Sequence, residues 1–234
     1  QTTDESVQES INRKQNNQKL FETIKTLLAQ DRVHFHCDLI FGLPGENMEI
    51  ILNSFREVLS LKPHELQLGF LKFLPGAPIK NKIKSHEYRY QSTPPYEFIS
   101  NKELDAEEVD YLKKFADIFD RFYNSKRFRF SINHLLQKTD SVTLFDRLLQ
   151  YHESNNLFMN PIGLDKQYEI FQKIFFTTPS IENKDLLKLD YLYSQRAYRL
   201  PTFLSEKSIF SGKTWKQDRK TPIISFQHKI EISG

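Results

Sequence analysis

Cysteine is almost absent from this chain of 234 residues, in which Cys37 is the single example. One cysteine cannot form an internal disulfide bond, and a chain without disulfides suits a reducing compartment. No signal peptide opens the sequence, because its first residues are mostly polar. We therefore predict a cytoplasmic protein.

Long apolar runs and a charge excess are also missing. No run reaches the roughly 18 residues of a membrane span, so we predict no membrane partner. The 33 basic and 30 acidic residues give a net charge of +3, which demands neither nucleic acid nor an anionic surface. The hydrophobic fraction of 38% and the 20 phenylalanines indicate a globular protein with an aromatic core.

Hydrophobic periodicity in the first third of the chain predicts helix, strand, helix and strand in that order. This succession with short connections is typical of a parallel α/β sheet, in which ligands bind at the carboxyl ends of the strands. The predicted elements are a helix at 16–29, a strand at 32–41, a helix at 48–59 and a strand at 65–74.

The pattern changes after residue 80. Residues 80–98 are polar and contain Pro94 and Pro95, which predicts a linker. Asp105 and Glu108 have the spacing of a capping box at the start of a helix. Further helices are predicted at 144–151, 164–176 and 185–193, and a final strand at 222–232.

The stretch "FGLPGE", residues 41–46, joins the first predicted strand to the following helix. Gly42 and Gly45 lack a Cβ and adopt positive φ readily, so a ligand could lie against the main chain. Glu46 would stand at the helix start, where the helix dipole favours a carboxylate. The alternative is a plain strand-to-helix turn. No Gly-Lys-Ser/Thr follows, so the turn is not a phosphate-binding P-loop.

The segment "DLIFGLPGE", residues 38–46, resembles the fifth-strand motif G-x-I-x-G-x-x-G-E of radical S-adenosylmethionine (radical-SAM) enzymes. Ile40, Gly42, Gly45 and Glu46 match this motif. Asp38 replaces the first glycine, a variation associated with the cobalamin-binding branch. The resemblance implies that this segment lines the adenine end of bound S-adenosylmethionine (SAM).

The resemblance extends over about residues 1–204. Residues 1–14 resemble the region after the fourth barrel strand, and 65–79 resemble the sixth strand. Residues 87–204 resemble the uncharacterised helical domain that follows the barrel in cobalamin-binding members, with "PPYEFIS", "FYNSKRFR" and "LDYLYSQRAYRLPTFL" as its marks. The implied fold is α/β, the C-terminal portion of a parallel (β/α) partial TIM-type barrel followed by a mainly α-helical domain.

The resemblance also implies domain limits and site residues. The predicted domains are the barrel part at 1–85, the helical domain at 86–210 and a tail at 211–234 that contains a short strand. The residues expected to contact or shape the SAM site are Ile40, Gly42, Leu43, Gly45, Glu46, Gln1, Thr2, Leu71 and Phe73. Asp38 is expected to make a polar contact with the substrate.

The implied function is that of the C-terminal fragment of a radical-SAM enzyme, which cleaves SAM with a [4Fe–4S] cluster. A cobalamin-dependent methyl transfer is one outcome in that family. The family's C-x3-C-x2-C motif is missing from this chain. We therefore expect the cluster ligands, and any cobalamin-binding domain, in a part of the polypeptide before Gln1, and we expect the chain alone to be inactive.

Other groups of residues in the chain allow different interpretations. His34, His36 and Asp38 share one strand face, but alternate residues lie about 7 Å apart, which makes a metal site awkward. Cys37 is expected to be a small buried hydrophobic residue. Residues 121–131 alternate rings with cations, a pattern that can bind RNA. A non-catalytic binding module that depends on a partner is the alternative to the enzyme.

Overall fold

The computed structural model describes residues 1–30, 33–177, 181–195 and 200–204. The chain divides into two compact units. The first comprises Gln1–Asp120 and Asp140–Val142, and the second comprises the described residues of Arg121–Thr139 and those from Thr143 onward. The predicted tail at 211–234, with its strand at 222–232, lies outside the described residues.

The first unit has mixed α/β structure. Its helices are α1 (Glu5–Ser10), α2 (Asn17–Leu28), α3 (Met48–Ser60) and α4 (Ala106–Phe119), with a 3-10 turn at Pro78–Lys82. Its strands are β1 (His36–Phe41), β2 (Glu65–Phe70), β3 (Arg89–Tyr90) and β4 (Phe98–Ser100).

Strands β1 and β2 pair in parallel, with Ile40 opposite Gly69. Helix α3 joins them and buries Ile51 and Phe55 completely. The predicted order of helix, strand, helix and strand is thus confirmed, although both strands are shorter than predicted. The parallel sheet of the described residues is small, with two strands.

Residues 80–98 differ from the predicted linker. Strands β3 and β4 form a short antiparallel pair there. The backbone N–H of Leu71 donates to the Phe41 carbonyl (2.9 Å), and the N–H of Phe98 donates to the Leu71 carbonyl (3.0 Å). Tyr88 and Phe98 are buried. These buried rings hold residues 80–98 against the core, because the burial of their apolar surface stabilises the segment in spite of its many polar residues.

Helix α4 begins as the sequence predicts. The Asp105 side chain accepts hydrogen bonds from the backbone of Glu107 and Glu108, and the Glu108 side chain accepts one from the Asp105 N–H. This capping box satisfies amides that have no partner within the helix. The apolar face of α4 then buries Leu112, Phe115 and Phe119.

The second unit is helical in its described part. A π-helical turn at Asp120–Asn124 leads into α5 (Arg129–Leu135), α6 (Ser141–Ser154), α7 (Leu164–Phe175) and α8 (Ile181–Gln195). Stacked rings fill its core: the ring centroids of Phe128 lie 5.0 Å from Phe122 and 4.7 Å from Phe171. The three helices predicted beyond residue 140 are confirmed.

Within the part of the chain that the structure describes, no helix has the length and apolar character needed to cross a membrane.

Candidate functional site

The turn at residues 42–46 follows β1 and is closed by the Glu46 side chain. Oε2 of Glu46 accepts hydrogen bonds from the backbone N–H of Gly42 (3.0 Å) and of Leu43 (3.2 Å). The backbone N–H of Glu46 donates to the Leu43 carbonyl (3.1 Å). Glu46 is only 1% exposed, so its carboxyl group is a fixed part of the turn.

Glu46 is therefore not the helix-start acid that the sequence suggested. Helix α3 begins at Met48, and Asn47 is its N-cap. The Asn47 side chain accepts a hydrogen bond from the Ile50 N–H (3.0 Å). Because Asn47 satisfies the helix, the Glu46 carboxyl group is available to hold the two amides of the turn.

Burial raises the pKa of Glu46 to about 8, although the hydrogen bonds from Leu43 and Gly42 favour the ionised form and oppose the rise. Desolvation disfavours a charge in this enclosed position. The turn is therefore closed by a carboxyl group whose pKa lies well above the usual acidic range.

The two glycines of the turn have different surroundings. Gly42 has a φ of +88°, and a Cβ at this position would lie 2.3 Å from Cζ of Phe98. Gly45 has a φ of +85°, and no described atom lies within 4 Å of the place its Cβ would take. The missing Cβ of Gly42 thus makes room for Phe98, and the open main chain lies at Gly45.

A cavity of about 640 Å³ runs beside β1. Four of the predicted site residues line it: Gln1, Thr2, Asp38 and Ile40. Phe70 and Gly69 of β2 contribute to the same wall. Other residues of the lining include Arg13, Gln15, Leu20, Phe21, Ile24, Cys37, Leu39, Val58, Leu61 and Lys72.

Residues 1–3 are fixed beside β1 by hydrogen bonds to two elements. The Ile40 N–H donates to the Gln1 carbonyl (2.8 Å). The hydroxyl groups of Thr2 and Ser54 lie 3.3 Å apart, and Ser54 belongs to α3. Gln1 and Thr2 thus lie beside β1, and their expected place near the ribose of SAM stays a prediction.

Leu43, Leu71 and Phe73 lie in the core of the first unit, where each is at most 8% exposed. The Phe73 N–H donates to the Tyr96 carbonyl (2.8 Å). The Phe73 ring centroid lies 4.9 Å from that of Tyr88. The side chains of these three residues are therefore buried in the interior of the first unit.

Asp38 forms an exposed ionic cluster with its neighbours. Oδ1 of Asp38 lies 3.0 Å from Nε2 of His36, and Oε2 of Glu65 lies 3.6 Å from Nδ1 of His36. Across the described residues, no three His, Cys, Asp or Glu side chains are arranged to hold a metal ion. Cys37 is half-buried rather than buried, and desolvation raises the pKa of its thiol.

The run at 121–131 places two of its four rings in the core. Phe122 and Phe128 are at most 1% exposed. The Lys126 ammonium lies 4.9 Å from the centroid of the Tyr123 ring. Bases that stack on protein need accessible ring faces, and the buried rings do not offer them.

Sequence reasoning missed Tyr88 and Phe98, which both contact the turn. The Tyr88 hydroxyl donates to the Gly42 carbonyl (2.7 Å), and the Phe98 ring covers the Cα of Gly42. The aromatic residues within the polar stretch 80–98 were the available signal, because buried rings rarely occur in a linker.

Comparison with known proteins places the chain in a family. Residues 84–224 match the family described as protein of unknown function DUF4080. This match spans more than half of the chain, so the chain belongs to the DUF4080 family. Its limits resemble those of the helical domain expected at 87–204.

A 111-residue segment is 26% identical to the cobalamin-dependent radical SAM methyltransferase TokK of Streptomyces tokunonensis. The segment is 47% of this chain and 16% of that protein, so the chain spans a small part of the curated relative that it matches. The two matches support a relationship to this enzyme at low identity and over part of the chain.

Proposed function

We propose that this DUF4080-family chain is the C-terminal part of a radical-SAM enzyme and forms one wall of its SAM site. The observation that carries the proposal is the turn at 42–46. It stands at the carboxyl end of a parallel strand, is closed by the buried Glu46, and adjoins the strand that lines a cavity of about 640 Å³. The similarity to a radical SAM methyltransferase supports this assignment.

The composition of the cavity suits a nucleoside. Ligand sites combine apolar walls with a few placed polar groups. Ile40 and Phe70 supply apolar surface, and Gln1, Thr2 and Asp38 supply polar atoms at the same cavity. The purine ring would lie against Ile40, with its ribose toward Gln1 and Thr2.

The residues of this chain do not fit the iron–sulfur cluster. A [4Fe–4S] cluster needs several thiolates, and Cys37 is the single cysteine. The cluster ligands, and a cobalamin site where methyl transfer is the reaction, would belong to another part of the polypeptide. The helical part of this chain would contact the substrate.

The experiment compares Ile40→Ala with Ile99→Ala in the full-length protein, reconstituted with iron and sulfide under anaerobic conditions. Both residues are strand isoleucines, but Ile99 is 37% exposed on β4 and serves as the control. Loss of apolar contact at Ile40 should weaken SAM binding about tenfold, which corresponds to about 1.4 kcal/mol and to the contact of about two of the three removed carbon atoms. The iron content should not change.

The measurements are the Kd for SAM from equilibrium dialysis and the formation of 5′-deoxyadenosine after reduction. A wild-type protein that binds iron but neither binds nor cleaves SAM would refute the proposed function. Equal SAM affinity in the wild type and Ile40→Ala would remove the cavity beside β1 from the site.

A further inference from the structure

Two side chains of the segment that matches the DUF4080 family contact the glycine of the turn. Tyr88 donates its hydroxyl hydrogen to the Gly42 carbonyl (2.7 Å), and the Phe98 ring fills the place where a Cβ of Gly42 would be. We propose that Tyr88 is a positioning residue, which holds the turn at 42–46 in the shape that binds the ligand.

Gly42 is held at each of its backbone groups. Its N–H donates to Glu46 (3.0 Å), its carbonyl accepts from Tyr88, and its Cα faces Phe98. Glu46 belongs to the turn itself, whereas Tyr88 and Phe98 come from the family segment at 84–224. The positive φ of Gly42, +88°, is thus maintained by two residues more than 40 positions away in sequence.

Other residues hold Tyr88 in place independently of its hydrogen bond to Gly42. Its N–H donates to the Ile83 carbonyl (3.0 Å), and its ring packs against Phe73 with centroids 4.9 Å apart. Nearby, Nδ1 of His86 lies 2.9 Å from Oε1 of Glu103. A side chain held in this way loses little further freedom on forming its hydrogen bond, so the bond positions its acceptor effectively.

The held turn bears on ligand binding through its continuity with β1. Ile40 lines the cavity and lies two residues before Gly42. A change in the Gly42 backbone would therefore move the end of β1 and the open main chain at Gly45. This part of the inference rests on the proposed function, because it takes SAM as the ligand.

Tyr90 provides a matched control. Its ring centroid lies 4.7 Å from that of Phe73, so both tyrosines pack on the same phenylalanine. Among the described hydrogen bonds, the Tyr88 hydroxyl donates one to the turn, and the Tyr90 hydroxyl donates none to it. Tyr88→Phe and Tyr90→Phe each remove one oxygen atom, and Tyr88→Phe alone removes a bond to the turn.

The first readout is hydrogen exchange of peptides that cover residues 39–47 in the full-length protein. Tyr88→Phe should speed exchange of these amides about tenfold, because a buried carbonyl loses its partner. Tyr90→Phe should leave the rate unchanged. No change in Tyr88→Phe, or an equal change in both variants, would overturn the proposal. If Tyr88→Phe does not fold, Phe98→Leu tests the second contact and should also speed exchange.

The second readout is the Kd for SAM, with the iron content as a control. Tyr88→Phe should weaken SAM binding about tenfold, with iron unchanged. A purely structural role would lower the melting temperature and leave the Kd unchanged, which would overturn the role in ligand binding. If the wild type itself does not bind SAM, the proposed function fails, and the exchange rates alone decide whether Tyr88 positions the turn.

Discussion

Two buried carboxyl groups, one in each unit, each hold two neighbouring backbone amides. Glu46 accepts from Gly42 and Leu43, four and three residues before it. Asp190 accepts from Phe130 (2.8 Å) and Ser131 (2.9 Å), about 60 residues before it. The first carboxyl group closes a local turn, whereas the second ties the start of α5 to α8.

The surroundings of the two groups have the same electrostatic effect. Burial raises the pKa of Glu46 to about 8 and that of Asp190 to about 7, against the favourable hydrogen bonds from the amides. The nearby Arg129 also lowers the pKa of Asp190. In each unit, two neighbouring backbone amides thus hold a buried carboxyl group. The two carboxyl groups differ in which part of the fold they hold together.

The largest expected effect concerns the turn that Glu46 closes. Gly42→Ala would place a Cβ 2.3 Å from the Phe98 ring in a backbone with positive φ. Overpacking and strain together should reduce the local free energy of unfolding by about 4 kcal/mol. Native-state hydrogen exchange of peptides from β1 and α3 measures this loss.

Gly45→Ala is the matched control for this prediction. The two glycines have nearly equal φ, but the space beside Gly45 is open. Strain alone should reduce stability by about 1 kcal/mol. Equal losses in the two variants would show that the Phe98 contact does not distinguish them, and the turn would then depend on Glu46 and its own backbone.

The second prediction concerns Asp190, the buried carboxyl group of the second unit. Asp190→Ala leaves the amides of Phe130 and Ser131 buried without their acceptor, which should reduce the free energy of unfolding of the second unit by about 3 kcal/mol. Hydrogen exchange of peptides from α5 and α8 is the measurement. Asp165→Ala is the control, since its exposed carboxylate accepts one hydrogen bond from Tyr191 (2.8 Å). A similar loss in both variants would contradict the importance of burial.

The same contrast between local and distant partners explains what the sequence could predict. Helix α2, the β1–α3–β2 order and the Asp105 capping box depend on residues within a few positions of one another, and their periodicity or spacing is visible. The sequence drew attention to Glu46 only through a family resemblance, and local spacing suggested a helix-start acid where the carboxyl group in fact closes the turn.

The distant contacts had no comparable signal. Tyr88 and Phe98 reach Gly42 from 46 and 56 positions away, and Asp190 reaches back 60 positions to Phe130. A single sequence does not indicate which of its many aromatic or acidic residues pair with a given backbone group. The polar composition of 80–98 even favoured a linker, although its rings pack in the core.

The smallest of these effects is a pH dependence that compares the two groups directly. The Glu46 carboxyl group loses its proton near pH 4.5 when unfolded and near pH 8 when folded. The folded state therefore holds the extra proton between these values, and its stability falls as the pH rises through that window. The fall should be about 2 kcal/mol between pH 6 and pH 8 for peptides of the turn, and little further change should follow above pH 8.

Glu46→Gln should remove this dependence, because its amide oxygen can still accept from the turn but carries no titrating proton. Glu57→Gln, an exposed change on α3, should leave the wild-type slope. For peptides of α5, the fall should end nearer pH 7, since the pKa of Asp190 is about 7. A slope at the turn that survives Glu46→Gln would assign the titration to another group, and the explanation by a raised pKa would then apply to Asp190 and not to Glu46.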